Sequence, residues 1–488
     1  MPNKDIVFLL RRLKLITIGC GIFFATPCFD RVEAMETELS VSPVAVSDSA
    51  SKSSGNEKET ESESLNQSKL ITSSIDQGEK SGDSTNGDSG DSTNGDTDDQ
   101  SEAISLLSDR VGVLERWSRP SMNLEGFLQF DAGWFTQDEV STEQLGDIED
   151  NRNFRRVRLQ TGGTVKDSIR YKMQLDFGIS GRPSLLDAYA EYVGTGKLGS
   201  LRVGHYRMPF GMDELTKVTE LTFVERPLMF GMGPFREFGA GLQNTVADDS
   251  ATWAASVFST GTDGLGNSVG DGGFGTAERI TGILFEQPSE EALVHVGIGH
   301  CYVNQREDQF RIRSIPEYGG AFATPGTVPV FLDTGLVAAE STNFFNGELA
   351  ATWKSFHMQS ELRYALVDQV NRGTTTLPSF YVQCGYVLTG EHRPYSRKPA
   401  ILRQVTPSRP FGTDGGIGAV ELATRFSMMD LNRGGMSGGE LDQMSFIINW
   451  YLNDAAKVQL MYSHADLERT LEGRGQTDIF VSRFQVLF

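Results

Sequence analysis

Arg155, Arg156 and Arg158 stand together in "NFRRVRLQTGG", inside a 488-residue chain whose formal net charge is -21. Guanidinium groups present planar donors that match the oxygens of phosphate. Several in succession let an anion step between shallow sites without being trapped. Strict alternation in the surrounding segments places Arg156, Arg158, Arg170, Lys172, Arg202, Arg363 and Arg425 on one shared face. That face also carries Glu125, Asp131, Asp176, Asp187, Glu191, Glu348, Glu361 and Glu421, so a plainer reading has the arginines pairing with carboxylates and polarising the surface they share. Arg155 falls on the opposite parity; it fits only near a membrane edge or beside a bulge that turns it inward.

Other chemistry is thinly supplied. The six histidines, His205, His295, His300, His357, His392 and His464, sit in no nucleophile motif and form no H-x-x-x-H pair around a Glu. His295 and His300 lie in the alternating "VHVGIGHCYV", where strand positions explain them better than metal ligation. Cys301 and Cys384 are 83 positions apart and read as isolated thiols. No enzyme activity, metal or cofactor is expected, and no nucleic-acid partner.

The chain's start narrows the compartment. Lys4, Arg11, Arg12 and Lys14 precede an apolar run from Leu15 to Ala25, and Val32-Glu33-Ala34 offers the small residues of a cleavage site, so residues 1–34 read as a secretory signal peptide. The Arg11-Arg12 pair and "TIGC" also touch the twin-arginine and lipoprotein patterns, less well. Residues 35–99 hold 15 acidic and 4 basic side chains and no aromatic, too little apolar surface to fold. The linker at 35–100 includes "SGDSTNGD" twice in succession, a low-complexity repeat lacking the alternating ligands of a calcium loop. Residues 101–118 read as a short helix: Ile104, Leu107, Val111 and Leu114 are spaced 3, 4 and 3 apart, suiting either an amphipathic helix on the main domain or a small coiled coil.

From residue 120 to 488 the dominant period is two. Leu124, Leu128, Phe130 and Trp134 alternate with Glu125, Gln129 and Asp131, and Ile169, Tyr171, Met173, Leu175 and Phe177 alternate with Arg170, Lys172, Gln174 and Asp176. Such strict alternation predicts strands. Past the leader no run of apolar residues is long enough for a spanning helix, so a chain that crosses a membrane must do it as a closed barrel. A soluble sandwich also alternates, but its core would not hold this many charges, and the apolar faces here carry aromatics toward strand ends, as membrane girdles do. The fold expected is all-β, a transmembrane antiparallel β-barrel of 16 strands, since 369 residues then give about 23 per strand with its loop; fourteen and eighteen also satisfy the length. The chain stops at "FVSRFQVLF", an alternating aromatic strand ending in Phe488 that resembles the signal read by the bacterial outer-membrane assembly machinery.

"FRRVRLQTGGTVKDSIRYKMQLDFG", "LLDAYAEY", "LRVGHYRMPFGMDELTKVTELTFVERP", "REFGAGLQ", "NGELAATWKSFHMQSELRY", "YVLTGEHRPY" and "GIGAVELATRFSMMDLNRGG" occur in that order. Over residues 122–488 the chain resembles the phosphate- and polyphosphate-selective porins O and P of Gram-negative bacteria. The resemblance implies a homotrimeric, 16-stranded barrel in the outer membrane, with linker and helix in the periplasm and a third loop, residues 209–227, folded inward to constrict the pore. It also implies an arginine ladder: Arg155 and Arg156 match the paired arginines on the second strand, and Arg226 matches the arginine closing the third loop. The constriction lysine matches less well, because Lys217 lies earlier than expected and Glu220 stands near the narrowest point, where it would repel phosphate. The function expected is a water-filled channel for passive diffusion of small inorganic or organic anions, phosphate or polyphosphate among them. The alternatives are a general, weakly selective porin and a non-conducting tethering or adhesion barrel. With no folded segment of plug size ahead of the barrel, an energised transporter is disfavoured.

Overall fold

The computed structural model describes residues 121–488, apart from 167, 179–182, 261–272 and 320–327. The expected signal peptide, linker and helix lie outside the described residues. Sixteen long strands follow one another: β1 (Asn123–Gln137), β2 (Asn151–Val165), β3 (Ile169–Asp176), β4 (Ser184–Val193), β5 (Ser200–Arg207), β6 (Arg236–Val246), β7 (Ala251–Ser259) and β8 (Phe274–Gln287) form the first half. The second half is β9 (Ala292–Asn304), β10 (Val337–Trp353), β11 (Phe356–Gln369), β12 (Gly373–Val387), β13 (Ala419–Asp430), β14 (Glu440–Tyr451), β15 (Ala456–Arg469) and β16 (Gly473–Leu487). Each pairs antiparallel with the next, and β1 pairs with both β2 and β16, so the sheet closes on itself.

The alternation read from the sequence has a physical direction. On β16, Phe480 and Phe484 are exposed while Ile479, Val481, Arg483 and Gln485 are buried. On β1, Phe130 and Trp134 are exposed while Gln129 and Asp131 are buried. Leu159, Ile280 and Ile298 likewise face out, whereas Arg156, Glu348, Glu361 and Arg425 are buried within. A greasy exterior around a charged interior is the reverse of a water-soluble sandwich and the arrangement a closed barrel needs in lipid. No helix among the described residues is long and apolar enough to cross a membrane. Closure continues to the last residue: Phe488 and Gly126 exchange backbone hydrogen bonds of 2.9 and 2.7 Å. A Cβ at Gly126 would lie 2.6 Å from the Phe488 ring, so a larger residue there would have to displace that exposed side chain.

One irregularity resolves the parity of Arg155. Along β1 and β2, Gln129 pairs with Arg156 but Phe130 pairs with Phe154, leaving Arg155 as the extra residue of a bulge. The bulge re-aims its side chain, and its Nε donates to Glu225 at 2.9 Å inside the barrel.

The connections sort by end. At the end where the chain enters and leaves the barrel, six of the seven links are short turns; the seventh, residues 388–418, is long. At the opposite end lie the long connections 208–235 and 305–336. Short turns therefore gather at one end with a single exception, and that connection reaches inward to meet connection 208–235.

Candidate functional site: a constriction built from three loops

Connection 208–235 leaves β5 and crosses the barrel interior. Its apolar residues, Met208, Phe210, Met212, Phe223, Val224, Leu228 and Met229 among them, are almost fully buried. Irregular backbone at this depth needs a partner for each polar group, and the wall supplies them. Glu361 on β11 accepts from the N–H groups of Met212 and Asp213 at 3.1 and 2.9 Å, at the start of the short helix α1 (Met212–Leu215). Arg363 donates to the carbonyls of Met229 and Met232 at 3.2 and 2.7 Å. Lys457 donates to the Leu221 carbonyl at 3.1 Å, and Asn449 and Gln459 donate to that of Thr222 at 2.9 and 3.2 Å. Gln485 donates to the Thr219 carbonyl at 3.2 Å.

Glu225 is the strongest of these anchors. It accepts from Arg155 at 2.9 Å, from Arg156 at 2.7 and 3.0 Å, and from Arg483 at 2.9 Å. Burial alone would raise its carboxyl, but Arg155, Arg156 and Arg483 outweigh burial and hold it well below the usual carboxylate range. Within the same loop Arg226 pairs with Asp213 at 2.9 Å and donates to the Thr216 carbonyl at 2.7 Å.

The other two loops join through shared residues. Arg425 on β13 donates to the Glu225 carbonyl at 3.0 Å and, from Nε, to Glu317 of connection 305–336 at 2.7 Å. Connection 388–418 enters from the opposite end. Its Arg393 donates to the Glu220 carbonyl at 2.9 Å and to the Thr222 hydroxyl, and its Arg403 pairs with the Glu220 carboxylate at 2.7 Å. Ile401 and Leu402 pack with Met212 in a small apolar cluster. From the wall, Arg279 on β8 donates to the carbonyls of Pro399 and Ala400 at 2.7 and 2.9 Å while pairing with Glu348 at 2.7 Å.

The residues singled out from sequence fall into two groups. Arg156, Arg158, Arg226, Arg363 and Arg425 are buried against carboxylates: Glu225, Asp176, Asp213, Glu214 and Glu317 in turn. Lys172 and Arg202 keep part of their side chains in water beside Asp187 and Glu191, at 2.8 and 3.3 Å. Arg170 is exposed on β3 opposite Glu191. Lys217 is also open, its side chain 55% exposed, with Glu220 at 3.9 Å. The inward acids are mostly covered: Asp131 is held by Arg483 at 2.7 Å, Asp187 by Arg236 at 2.7 Å, and Glu421 accepts from His357 at 2.5 Å.

Several functional side chains escaped the sequence reading. Arg279, Lys457 and Arg483 obey the same alternation and follow from applying it to β8, β15 and β16. Arg393 and Arg403 sit in a loop with no period to betray them, and no local signal marks Glu220 as buried.

Residues 123–488 match the family model "Phosphate-selective porin O and P". The chain is 24% identical over 402 residues to Porin O of Pseudomonas aeruginosa, covering 75% of this chain and 88% of that one. Among solved structures it is similar to a loop-deletion mutant of OmpT, an outer membrane protein of Vibrio cholerae, with a TM-score of 0.48 and 11% identity over 76% of this chain and 99% of that one. It is also similar to an anion-selective porin from Comamonas acidovorans, with a TM-score of 0.45 and 12% identity over 76% of this chain and 100% of that one. Because the family match runs from the first residue of β1 through the constriction to the end of the chain, the protein belongs to the phosphate-selective porin O and P family and is an outer-membrane channel.

Proposed function

We propose that the channel passes small anions by diffusion and prefers oxyanions of the phosphate and polyphosphate class. One observation carries this reading. The Glu220 side chain, which the sequence places as an obstacle to phosphate, is only 6% exposed, whereas its partners Lys217 and Arg403 are 55% and 42% exposed. A solute at this level meets the cations and not the carboxylate. Arg170, Lys172 and Arg202 extend the accessible positive charge along β3 and β5, and the buried arginines act as scaffold, Arg156, Arg226, Arg363 and Arg425 for the loops and Arg158 for the wall, rather than as contact sites. Accessible cations in succession favour anion passage. Phosphate titrated against the single-channel chloride current tests the preference. The current should fall as phosphate binds, and a current insensitive to phosphate would remove oxyanions as the preferred solute. The double variant Arg156→Ala, Arg158→Ala should perturb loop anchoring more than ion preference.

The general, weakly selective porin is the second reading. It is favoured by Lys172 and Arg202, each of which shares its surface with a carboxylate, Asp187 and Glu191. The non-conducting tether rests only on residues 35–118.

For the rest of the chain we propose a removed signal peptide at 1–34, a periplasmic acidic linker at 35–100 and a helix at 101–118 that is amphipathic or coiled-coil. The barrel domain at 120–488 would assemble as a homotrimer in outer-membrane lipid, after the assembly machinery reads the strand ending at Phe488. The exposed Phe480, Phe484 and Phe488 on one face of that strand support the last step. Neither enzyme activity nor a cofactor forms part of this reading.

A further inference from the structure

We propose that Glu220 is a resident counter-ion, whose carboxylate holds the anion-binding position made by Lys217 and Arg403 until a translocating oxyanion displaces it. This deepens the anion-channel reading and rests on it.

The two cations come from loops entering the barrel from opposite ends. The Glu220 N–H donates to the Lys217 carbonyl at 2.9 Å, a turn that brings the Lys217 and Glu220 side chains together. Arg393 fixes the backbone from the other side through the Glu220 carbonyl at 2.9 Å. The carboxylate is thus presented to Arg403 at 2.7 Å and to Lys217 at 3.9 Å by a backbone that is itself held in place.

Glu220 and Glu214 are the loosely held carboxylates of this loop, each with a buried Oε2 that has no hydrogen-bond partner, but the cation on Glu214, Arg363, is itself buried, whereas those on Glu220 are open to water. Glu225 is gripped by three guanidiniums, and Glu361 is fixed by two backbone N–H groups and by Asn346 and Tyr381. Glu220 is engaged through Oε1 alone, and its buried Oε2 has no hydrogen-bond partner. A half-satisfied carboxylate is the weakest occupant such a site can have. Its partners, unlike the carboxylate, are open to water, so an incoming anion reaches them directly. A phosphate dianion brings more charge and enough oxygens to accept from Arg403 and Lys217 together. Chloride has one charge and no such geometry. Competition with the resident carboxylate therefore discriminates between the two, and keeps the bound oxyanion loose enough to leave.

The test is block of chloride current by inorganic phosphate in planar bilayers, using the full-length protein, Glu220→Gln, Arg403→Gln and the double variant. Removing the competing charge in Glu220→Gln should lower the half-blocking phosphate concentration about tenfold, a change of one decade in affinity. Arg403→Gln should raise it, and in the double variant the gain from Glu220→Gln should vanish. Where Glu220→Gln does not assemble, Glu220→Asp draws the charge back from Arg403 and should also tighten block. Phosphate block that is present in the unmodified protein but unchanged or weakened in the Glu220 variants overturns the counter-ion role and leaves the anion channel standing. Block unchanged by Arg403→Gln does the same. Absence of phosphate block in the unmodified protein refutes the underlying oxyanion reading.

Discussion

Glu225 takes hydrogen bonds from Arg155, Arg156 and Arg483, and this buried cluster joins the constriction loop to β2 and β16. Removing the anion would leave three guanidiniums facing one another. Glu225→Gln should therefore destabilise the loop by about 3–5 kcal/mol, the cost of breaking a buried charge network by deleting one partner. Single-channel recordings would show it as increased current noise with the barrel still folded. The acid response has a definite sign. A carboxylate depressed in the folded state contributes stability that is present above its unfolded value, about 4.3, and is lost only as pH falls through the lower folded value. Open-channel current should stay quiet from neutral pH down to that unfolded value and become noisy only in stronger acid; noise beginning near pH 6 would contradict the assignment. At this scale the sequence was legible where residues obey a period. Arg156, Arg158, Arg363 and Arg425 were placed inward by alternation alone, while their burial against Glu225, Asp176, Glu214 and Glu317 was not, since partners distant in sequence carry no local mark.

At the scale of elements, the bulge between β1 and β2 makes an unusual deletion tolerable. Arg155 is the unpaired residue, so deleting it leaves Gln129 opposite Arg156 and Phe130 opposite Phe154, with each side chain on its original face. Deleting Val157 instead would turn one flank of β2 over, because a one-residue slip reverses every side chain. The first variant should assemble and show the heat-dependent gel shift of a folded barrel, and the second should not. The exterior gives a complementary check. Ile298 lies near the middle of β9 and is 66% exposed; Ile298→Arg should cost about 2–4 kcal/mol if that face meets the bilayer midplane, read as a loss of assembled protein. Strands were legible because period two is a property of short segments. The inward path of connection 388–418 was not: its hold on the interior comes from Arg279, and from Arg393 and Arg403 reaching the Glu220 region, contacts that only the closed barrel brings together.

Over the whole molecule, an acidic balance and the proposed anion preference do not conflict. Residues 120–488 carry 44 acidic and 32 basic side chains, yet selectivity is set by charges that solute can reach. Inside the barrel the carboxylates are largely paired, Asp131, Asp176 and Asp187 with wall cations and others with the loops. Glu225, Glu317 and Glu361 are buried in hydrogen-bond networks, and Glu220 is buried beside the more exposed Lys217 and Arg403. The accessible partners of Glu220, Lys217 and Arg403, are cationic. The zero-current potential across a KCl gradient tests this most directly, because its sign reports which ion the constriction favours. The expected potential lies on the chloride side and is reduced when Lys217 and Arg403 are both changed to Gln. A potential on the potassium side in the unmodified protein would contradict it.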